Sequence, residues 1–195
     1  MRVRPVSGYS PRPAARSADT ERMSVEAPFI LRAERADDLD QIAALLVAVD
    51  ASWGDTPFRV AVREGGIEAA VAVITRPKLT SVVAEVKGVA VGYGALRQEL
   101  EAVMLVNMLV SPEYQGNGIG RAIVTHLCQP VLGAGQHVHL DVLLDSHAAH
   151  GLYRSCGFEE FGVTTGKISG REGRLMCLAP AGARPCVSPP NATVV

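Results

Sequence analysis

The chain has 195 residues, with 19 basic and 20 acidic side chains and a formal net charge of −1. This length can bury a sizeable hydrophobic core and predicts a single domain. The balanced charge offers no basic surface for nucleic acid, and no apolar run is long enough to cross a membrane, so we expect neither partner.

The composition of both ends predicts tails. Residues 1–26 carry four arginines and three prolines before the first acid, Asp19. This favours a disordered leader, with a transit peptide or a start at Met23 as alternatives. Residues 180–195 are rich in alanine and proline and predict a flexible second tail. The folded domain is therefore expected at residues 27–179.

Four cysteines lie in the second half of the chain, and their spacing is not that of a metal site. No nearby histidine completes a zinc set, so we expect no bound metal. Free thiols in a reducing cytoplasm are the expected state of all four. The cysteines are Cys128, Cys156, Cys177 and Cys186.

The first half of the chain alternates between strand-like and helix-like patterns. Apolar residues recur at helical spacing between Ile42 and Val49, and Asp37 or Asp38 can cap the helix that this predicts. A second helix is expected to break near two adjacent glycines, and a Lys-Gly pair predicts a hairpin turn. The predicted elements are a strand at residues 29–32, a helix that follows residue 38, a helix at 58–74, and strands at 80–85 and 89–96.

The second half contains an apolar run followed by further helices and strands. Residues 103–110 are apolar except Asn107, as expected for a central strand covered on both faces. Pro130 is expected to end the next helix, and Gly157 the last one. The predicted elements are a strand at 103–110, a helix from Gly120 to Pro130, a strand at 137–144, a helix at 148–155, and a hairpin of strands at 158–164 and 174–178.

The most informative stretch joins the apolar run to the next helix and reads Gln115-Gly-Asn-Gly-Ile-Gly120. Glycine lets a backbone approach a ligand closely, and a helix start offers unpaired N–H groups and a positive dipole end. These features suit a pyrophosphate. The spacing differs from the dinucleotide fingerprint, which would have its third glycine at Arg121. The Lys-Ser or Lys-Thr pair of nucleotide hydrolases is missing as well.

This loop resembles the acyl-CoA pyrophosphate loop of the GNAT superfamily of N-acetyltransferases. Gln115, Gly118 and Gly120 match its usual form, Q/R-x-x-G-x-G/A. A second block, residues 145–158, is similar to the family's later motif, N-x-x-A-x-x-L-Y-x-x-x-G-F, with Ser146 in place of the usual Asn. The resemblance implies an α/β fold whose mixed, mostly antiparallel central sheet is flanked by helices.

The resemblance also implies acetyl-CoA as co-substrate and indicates which residues bind it. The loop would hold the pyrophosphate, and the end of the central strand would pair with the pantetheine arm as if it were an added strand. The implied cofactor-binding residues are Leu109, Val110, Gln115, Gly116, Asn117, Gly118, Ile119, Gly120, Arg121 and Ser146.

Tyr153, in the second block, is the general acid that the resemblance implies. A phenol titrates near ~10 and a thiol near ~8.5, so Tyr153 stays protonated at pH 7 and can donate to the departing thiolate. The candidates for the base are Glu101 just before the central strand and Asn107 within it, with Asp141 a weaker candidate. Water relayed by Asn107, or an amine that arrives neutral, are alternatives.

The acceptor pocket is expected at residues 50–64, where Trp53 and Asp55 would suit a cationic amine. The predicted function is transfer of an acetyl group from acetyl-CoA to a primary amine of a small molecule or a protein, by direct attack on the thioester. A non-catalytic acyl-CoA-binding domain is the alternative, and a homodimer is left open.

Overall fold

The computed structural model describes residues 29–50, 57–99, 102–168, 171–184 and 186. The predicted N-terminal tail and three predicted site residues, Trp53, Asp55 and Glu101, lie outside these ranges.

The described residues form seven strands and four α-helices, in the order that the sequence predicts. Short 3-10 turns precede α1 and α3, at Ala36–Asp38 and Pro112–Tyr114. The strands are β1 (Ile30–Ala33), β2 (Thr80–Val86), β3 (Val89–Glu99), β4 (Ala102–Val110), β5 (Val138–Leu143), β6 (Glu159–Ile168) and β7 (Arg171–Leu178). The helices are α1 (Leu39–Asp50), α2 (Pro57–Ile74), α3 (Ile119–Gly133) and α4 (His147–Ser155).

The strands form one sheet in the order β1-β2-β3-β4-β5-β7-β6. Neighbouring strands are antiparallel except β4 and β5, which are parallel. Parallel neighbours need a crossover connection, and α3 supplies it. The predicted fold class, a mixed and mostly antiparallel sheet flanked by helices, is confirmed.

Helices cover both faces of the sheet at its centre. On one face α1 packs against β3 and β4, where Tyr93 and Leu109 are buried. On the other face α3 packs against β2, β3 and β4 through Ile119 and Ile123. Because strand residues alternate between faces, cover on both sides explains why β3 is buried almost continuously. No helix within the described ranges is long and apolar enough to span a membrane.

The close approach of α3 to the sheet depends on two glycines in β3. A Cβ atom at Gly92 would lie 2.9 Å from Ile119 Cγ2, and one at Gly94 would lie 2.6 Å from Ile123 Cγ2. Protein interiors are close-packed, so a larger residue at either position would push α3 away. Since α3 begins at the glycine loop, this packing sets where the loop lies relative to β4.

Two glycines and one proline shape α2 and α3. The predicted break in the second helix is confirmed, because Gly66 has φ +56° and ψ −138° inside α2. The prediction that Pro130 ends the third helix is wrong, because α3 continues to Gly133, and Gly135 follows its end with φ +75°. A proline removes one N–H donor and crowds the preceding turn. Pro130 itself is exposed, and Val131 and Leu132 of the last turn pack against the core and hold that turn in place.

Asp38 holds the entry into α1 through a buried ion pair. Its carboxylate accepts hydrogen bonds from the Arg32 guanidinium at 2.6 and 2.7 Å and from the backbone N–H of Arg35 at 2.7 Å. The hydrogen bond from Arg32 lowers the pKa of Asp38 and outweighs the opposing effect of burial. Arg32 also pairs with Glu85 of β2 at 2.5 Å, so one charged cluster joins β1, β2 and the 3-10 turn that leads into α1.

After β7 the chain turns back towards the sheet. The N–H of Ala183 donates to the carbonyl of Pro180 at 3.1 Å, and Gly182, with φ +77°, occupies the third position of this turn. A type II turn requires a positive φ at that position, which glycine supplies. The reversal brings Cys186 to Cys177 of β7, and the two form a disulfide with their Cα atoms 6.1 Å apart.

The expectation of four free thiols is therefore wrong for Cys177 and Cys186. It rested on the expected reducing cytoplasm and took no account of the turn that closes the nine-residue separation between them. The other two cysteines are free, with Cys128 buried and Cys156 half-buried.

Candidate active site

A β-bulge at Asn107 bends the central strand β4. Tyr93 of β3 pairs with Leu109, whereas Ala95 pairs with Val106, so β4 carries one extra residue between these pairs. Asn107 has φ +53°, a left-handed conformation that asparagine tolerates better than most residues. A bulge bends its strand and increases the local twist, which turns the second half of β4 away from a straight course.

The two central strands stop pairing just before the bulge. β4 and β5 pair only at Val103 with Val138 and Met104 with His139. Past these residues β4 continues to pair with β3, and β5 with β7. The facing edges of β4 and β5 therefore carry N–H and C=O groups that are not bonded to each other. Such an open edge can receive an extended ligand as an extra strand.

Leu109 and Val110, predicted to bind a pantetheine arm, lie on the separating part of β4. The Leu109 side chain is only 1% exposed, and Val110 is partly buried against the core on the α3 side. Their side chains serve packing, so the backbone is the part that can face a ligand in the gap.

The glycine loop leads from the end of β4 into α3. Gly116 and Gly118 have φ +80° and +79°, a region that favours glycine. Gly118 is the N-cap of α3, whose first turn has neither a capping side chain nor an acidic residue. The first N–H groups of α3 therefore lack intrahelical acceptors, and the helix dipole adds a positive potential there. This arrangement is suited to a phosphate or pyrophosphate.

The polar side chains of the loop hold its backbone in shape. The Gln115 amide donates to the carbonyl of Val110 at 3.1 Å, and the Asn117 amide donates to a carbonyl of the preceding 3-10 turn at 3.2 Å. Arg121, in the first turn of α3, donates to the carbonyl of Ser155 at the end of α4 at 3.3 Å. These bonds fix the backbone through which an anion would be bound.

Gly120 and Ile119 position the start of α3. A Cβ atom at Gly120 would lie 3.0 Å from Leu152 Cδ2, so glycine allows α4 to pack closely here. The Ile119 side chain is 1% exposed and belongs to the core. The two sequence blocks that resemble the GNAT motifs therefore contact each other, and the loop, the end of β4 and α4 form one site.

An open groove of about 460 Å³ extends from the loop along the outer face of α3. Asn117 and Gly118 belong to both the loop and the groove, so a ligand held at the loop can continue along the helix. The other lining residues include Phe29, Arg121, Thr125, His126 and Gln129.

Tyr153 is buried on α4, with 8% of its surface exposed, and its ring packs edge-on against Phe158 with centroids 5.8 Å apart. Burial raises the pKa of the Tyr153 phenol, and the nearby thiols of Cys156 and Cys128 raise it further. A phenol in this environment remains protonated at pH 7, so the group can act as a proton donor.

Asp141, which sequence reasoning ranked low, lies on the separating part of β5, two residues beyond the paired His139. Its Oδ1 atom is buried. The apolar residues of β5 are buried on the α3 side, so alternation places Asp141 on the α1 side of the sheet. The alternation of Asp141 with apolar residues was the sequence feature that could have indicated this position. Asp141 on β5 and Asn107 on β4 thus flank the gap, and Ser146 lies at the N-cap of α4.

The acceptor residues Trp53 and Asp55 and the base candidate Glu101 lie outside the described residues and stay predictions. Within the described ranges, no group of three or more His, Cys, Asp or Glu side chains is arranged to hold a metal ion.

Residues 40–158 match the model of the acetyltransferase (GNAT) family. The chain belongs to the GNAT family. The matched region contains β2, β3, β4 and β5, the glycine loop and the whole of α4. The family resemblance inferred from the two sequence blocks is confirmed.

Named GNAT relatives span most of this chain. N-alpha-acetyltransferase RimI of Mycobacterium tuberculosis is 31% identical over 151 residues, which cover 75% of this chain and 85% of RimI. The crystal structure of the ribosomal-protein-S18-alanine N-acetyltransferase from Escherichia coli has a TM-score of 0.59 at 21% identity, covering 80% of this chain and 97% of that one. A GNAT family acetyltransferase from Brucella melitensis, solved in complex with acetyl-CoA, has a TM-score of 0.55 at 22% identity, covering 82% and 92%. The two structural likenesses show the shared fold.

Proposed function

We propose that this GNAT family member transfers the acetyl group of acetyl-CoA to the α-amino group of a protein or peptide. The observation that carries the proposal is that an anion-binding helix start lies at the end of a strand whose edge is open. The Brucella melitensis relative of the same fold holds acetyl-CoA, and RimI of M. tuberculosis is named an N-alpha-acetyltransferase. A small-molecule amine is the alternative acceptor, and non-catalytic binding of acyl-CoA is the alternative function.

The two parts of the site fit the two parts of the co-substrate. Backbone N–H groups from Gly116 to Gly120 would bind the pyrophosphate at the start of α3. The edge of β4 that faces the gap near Leu109 and Val110, and does not pair with β5, would bind the amide-containing pantetheine arm as an added strand. An N–H group of β4 would then lie beside the thioester carbonyl and stabilise the oxyanion that forms on attack.

An α-amino group suits this site because it needs little help to become nucleophilic. An α-amine titrates near ~8 and a lysine amine near ~10.4, so at pH 7.5 roughly a quarter of α-amines are neutral, against ~0.1% of lysines. β4, residues 102–110, carries no carboxylate. A site whose central strand supplies no base therefore favours the amine with the lower pKa.

The described side chains can supply both proton transfers. The amine nitrogen attacks the thioester carbon, and Asp141 accepts the ammonium proton directly or through water held by Asn107. The tetrahedral intermediate collapses, the carbon–sulfur bond breaks, and Tyr153 protonates the departing thiolate. Acid or base help of this kind contributes roughly 10²–10⁴-fold each.

A peptide panel tests the proposal through the release of the CoA thiol. We expect turnover with peptides that have a free α-amine, and none with the same peptides when the α-amine is blocked and only a lysine is free. Turnover confined to lysine or to polyamines would overturn the acceptor. Tight acetyl-CoA binding without turnover of any amine would support the non-catalytic alternative.

The role of Asp141 is tested by its pH dependence. Asp141→Asn removes the proton acceptor but keeps the size of the side chain. We expect the variant's turnover deficit to be large near pH 7 and to shrink towards pH 9, because the α-amine is then neutral without help. A deficit that stays constant from pH 7 to pH 9 would assign Asp141 a structural role only.

A further inference from the structure

The C-terminal segment, residues 179–184 and Cys186, has an internal turn and is also bonded to residues of the sheet region at two places. His137 donates from Nε2 to the carbonyl of Arg184 at 3.1 Å. Cys186 is joined to Cys177 of β7 by the disulfide. The segment is therefore part of the folded domain, and its attachments are at His137, just before β5, and on β7, the neighbour of β5 in the sheet.

The disulfide lies one strand step away from the proposed proton acceptor, on the same side of the sheet. His139 and Asp141 of β5, and His137 just before it, alternate with the residues buried on the α3 side, so the three face the α1 side of the sheet. The Nε2 atom of His139 lies 3.9 Å from the Cys177 sulfur. Residues two apart in a strand are separated by about 7 Å, which places Asp141 one such step beyond His139.

We propose that the C-terminal segment is one wall of the acceptor site, and that opening the Cys177–Cys186 disulfide releases it and weakens acceptor binding. On the same side of the sheet α1 packs against β3 and β4. The C-terminal segment attaches on this side next to His137 and Cys177, at the end of β5 where the gap from β4 begins. The inference rests on the proposed function, because the gap must receive an amine for its walls to matter.

The opening step is thiol–disulfide exchange with a dithiol reductant. One reductant thiolate attacks the sulfur of Cys186, the more exposed of the two, and Cys177 leaves as a thiolate beside His139. The second reductant thiolate then attacks the mixed disulfide and releases Cys186. Two electrons and two protons pass to the protein, which gains two thiols, and the reductant becomes a disulfide. In a reducing compartment such a bond is characteristic of a redox-responsive element.

Release of the segment should change acceptor binding and leave the co-substrate site intact. Oxidised full-length protein should contain two reactive thiols after denaturation and reduced protein four, as counted by alkylation and mass spectrometry. We expect reduction to raise the KM for an acceptor peptide by about tenfold. The Kd for acetyl-CoA, measured by calorimetry, should remain within about twofold, because the loop and α3 lie on the other side of the sheet. Hydrogen exchange of residues 179–184 should become faster in the reduced protein.

Two variants provide matched controls for the effect of the reductant. Cys186→Ser should have the raised acceptor KM without reductant and should no longer respond to it. Cys156→Ser, which removes a thiol outside the disulfide, should respond to reduction as the wild type does. An acceptor KM that is equal in oxidised and reduced wild type would overturn the inference. One zinc ion bound per reduced chain would also overturn it, since the cysteines would then be metal ligands. Failure of the proposed function is a different result, because no amine would then be acetylated in either redox state.

Discussion

The position of the glycine loop depends on Gly94, and Gly94→Ala is the most direct test of that dependence. A methyl group there would lie 2.6 Å from Ile123 Cγ2, 2.8 Å from Met108 Sδ and 3.1 Å from Leu127 Cδ1. Ordinary contacts begin at 3.4 Å, so Ile123 must move by about 0.8 Å. The Ile123 methyl is attached directly to Cβ, so it can retreat only if α3 itself moves.

Both the stability and the affinity consequences can be estimated. Overpacking of this kind costs about 1–3 kcal/mol, which corresponds to a fall in Tm of roughly 2–12 °C for a domain of this size. A shift of α3 also moves the N–H donors at its start, and hydrogen bonds weaken steeply outside their narrow distance range. Loss of one charge-assisted bond is worth about 1.5–3 kcal/mol, so acetyl-CoA affinity should fall by about tenfold or more.

Gly151→Ala is the matched control for Gly94→Ala. Gly151 is exposed on α4, and a Cβ atom there has no neighbour within 4 Å. Alanine in a helix is favoured over glycine by roughly 0.5–1 kcal/mol, so this variant should be slightly more stable and should bind acetyl-CoA normally. Thermal denaturation and calorimetry measure both quantities. A Tm for Gly94→Ala within about 1 °C of wild type would refute the packing argument, and a lowered Tm with unchanged affinity would refute its link to the loop.

Three further variants test other parts of the molecule. Gly118→Val should weaken acetyl-CoA binding, whereas Gly135→Val, with a similar positive φ at the other end of α3, should cost stability but not affinity, as calorimetry can compare. Tyr153→Phe should lower kcat by roughly 10²-fold and leave the affinity for acetyl-CoA intact. The control Tyr93→Phe, on the other face of the sheet, should lower Tm without changing kcat. An equal kcat in Tyr153→Phe and wild type would leave Tyr153 only a packing role. The pKa of Asp38 is lowered in the folded state, so Asp38 stabilises the fold at pH values above its unfolded pKa near ~3.9, and this stabilisation is lost as the pH falls further. In acid denaturation, the free energy of unfolding of Asp38→Asn should therefore depend less on pH than that of wild type.

The fold was largely predictable because its elements are encoded in local patterns. Period-3.6 stripes identified α1 and α3, and the Lys87-Gly88 turn identified the β2–β3 hairpin, where both residues have positive φ. The errors arose where tertiary packing overrides local preference. Pro130 was expected to end α3, but Val131 and Leu132 beyond it pack against the core, and the helix continues to Gly133.

The glycine loop of the site could be predicted from the sequence, whereas the gap between β4 and β5 could not. The glycine loop is a contiguous segment whose backbone conformation follows from its own residues, so its position at a helix start could be predicted. The separation of β4 from β5 and the bulge beside it could not be predicted, because both are defined only by the register of β4 with its neighbouring strands. Asp141 was undervalued for a related reason, since its place beside the gap depends on which strands are neighbours.

The bulge and the β3 glycines act together on the geometry of the site. Gly94 faces the stretch of β4 where the extra residue is inserted. A methyl group at Gly94 would also clash with the sulfur of Met108, the residue next to the bulged Asn107. The absence of a side chain at Gly94 thus lets α3 pack down and also leaves room for the bulge. The start of α3 and the open edge of β4 are therefore set by the same local packing. This explains how a loop that binds an anion and a strand that separates from its neighbour can be held at one place in the fold.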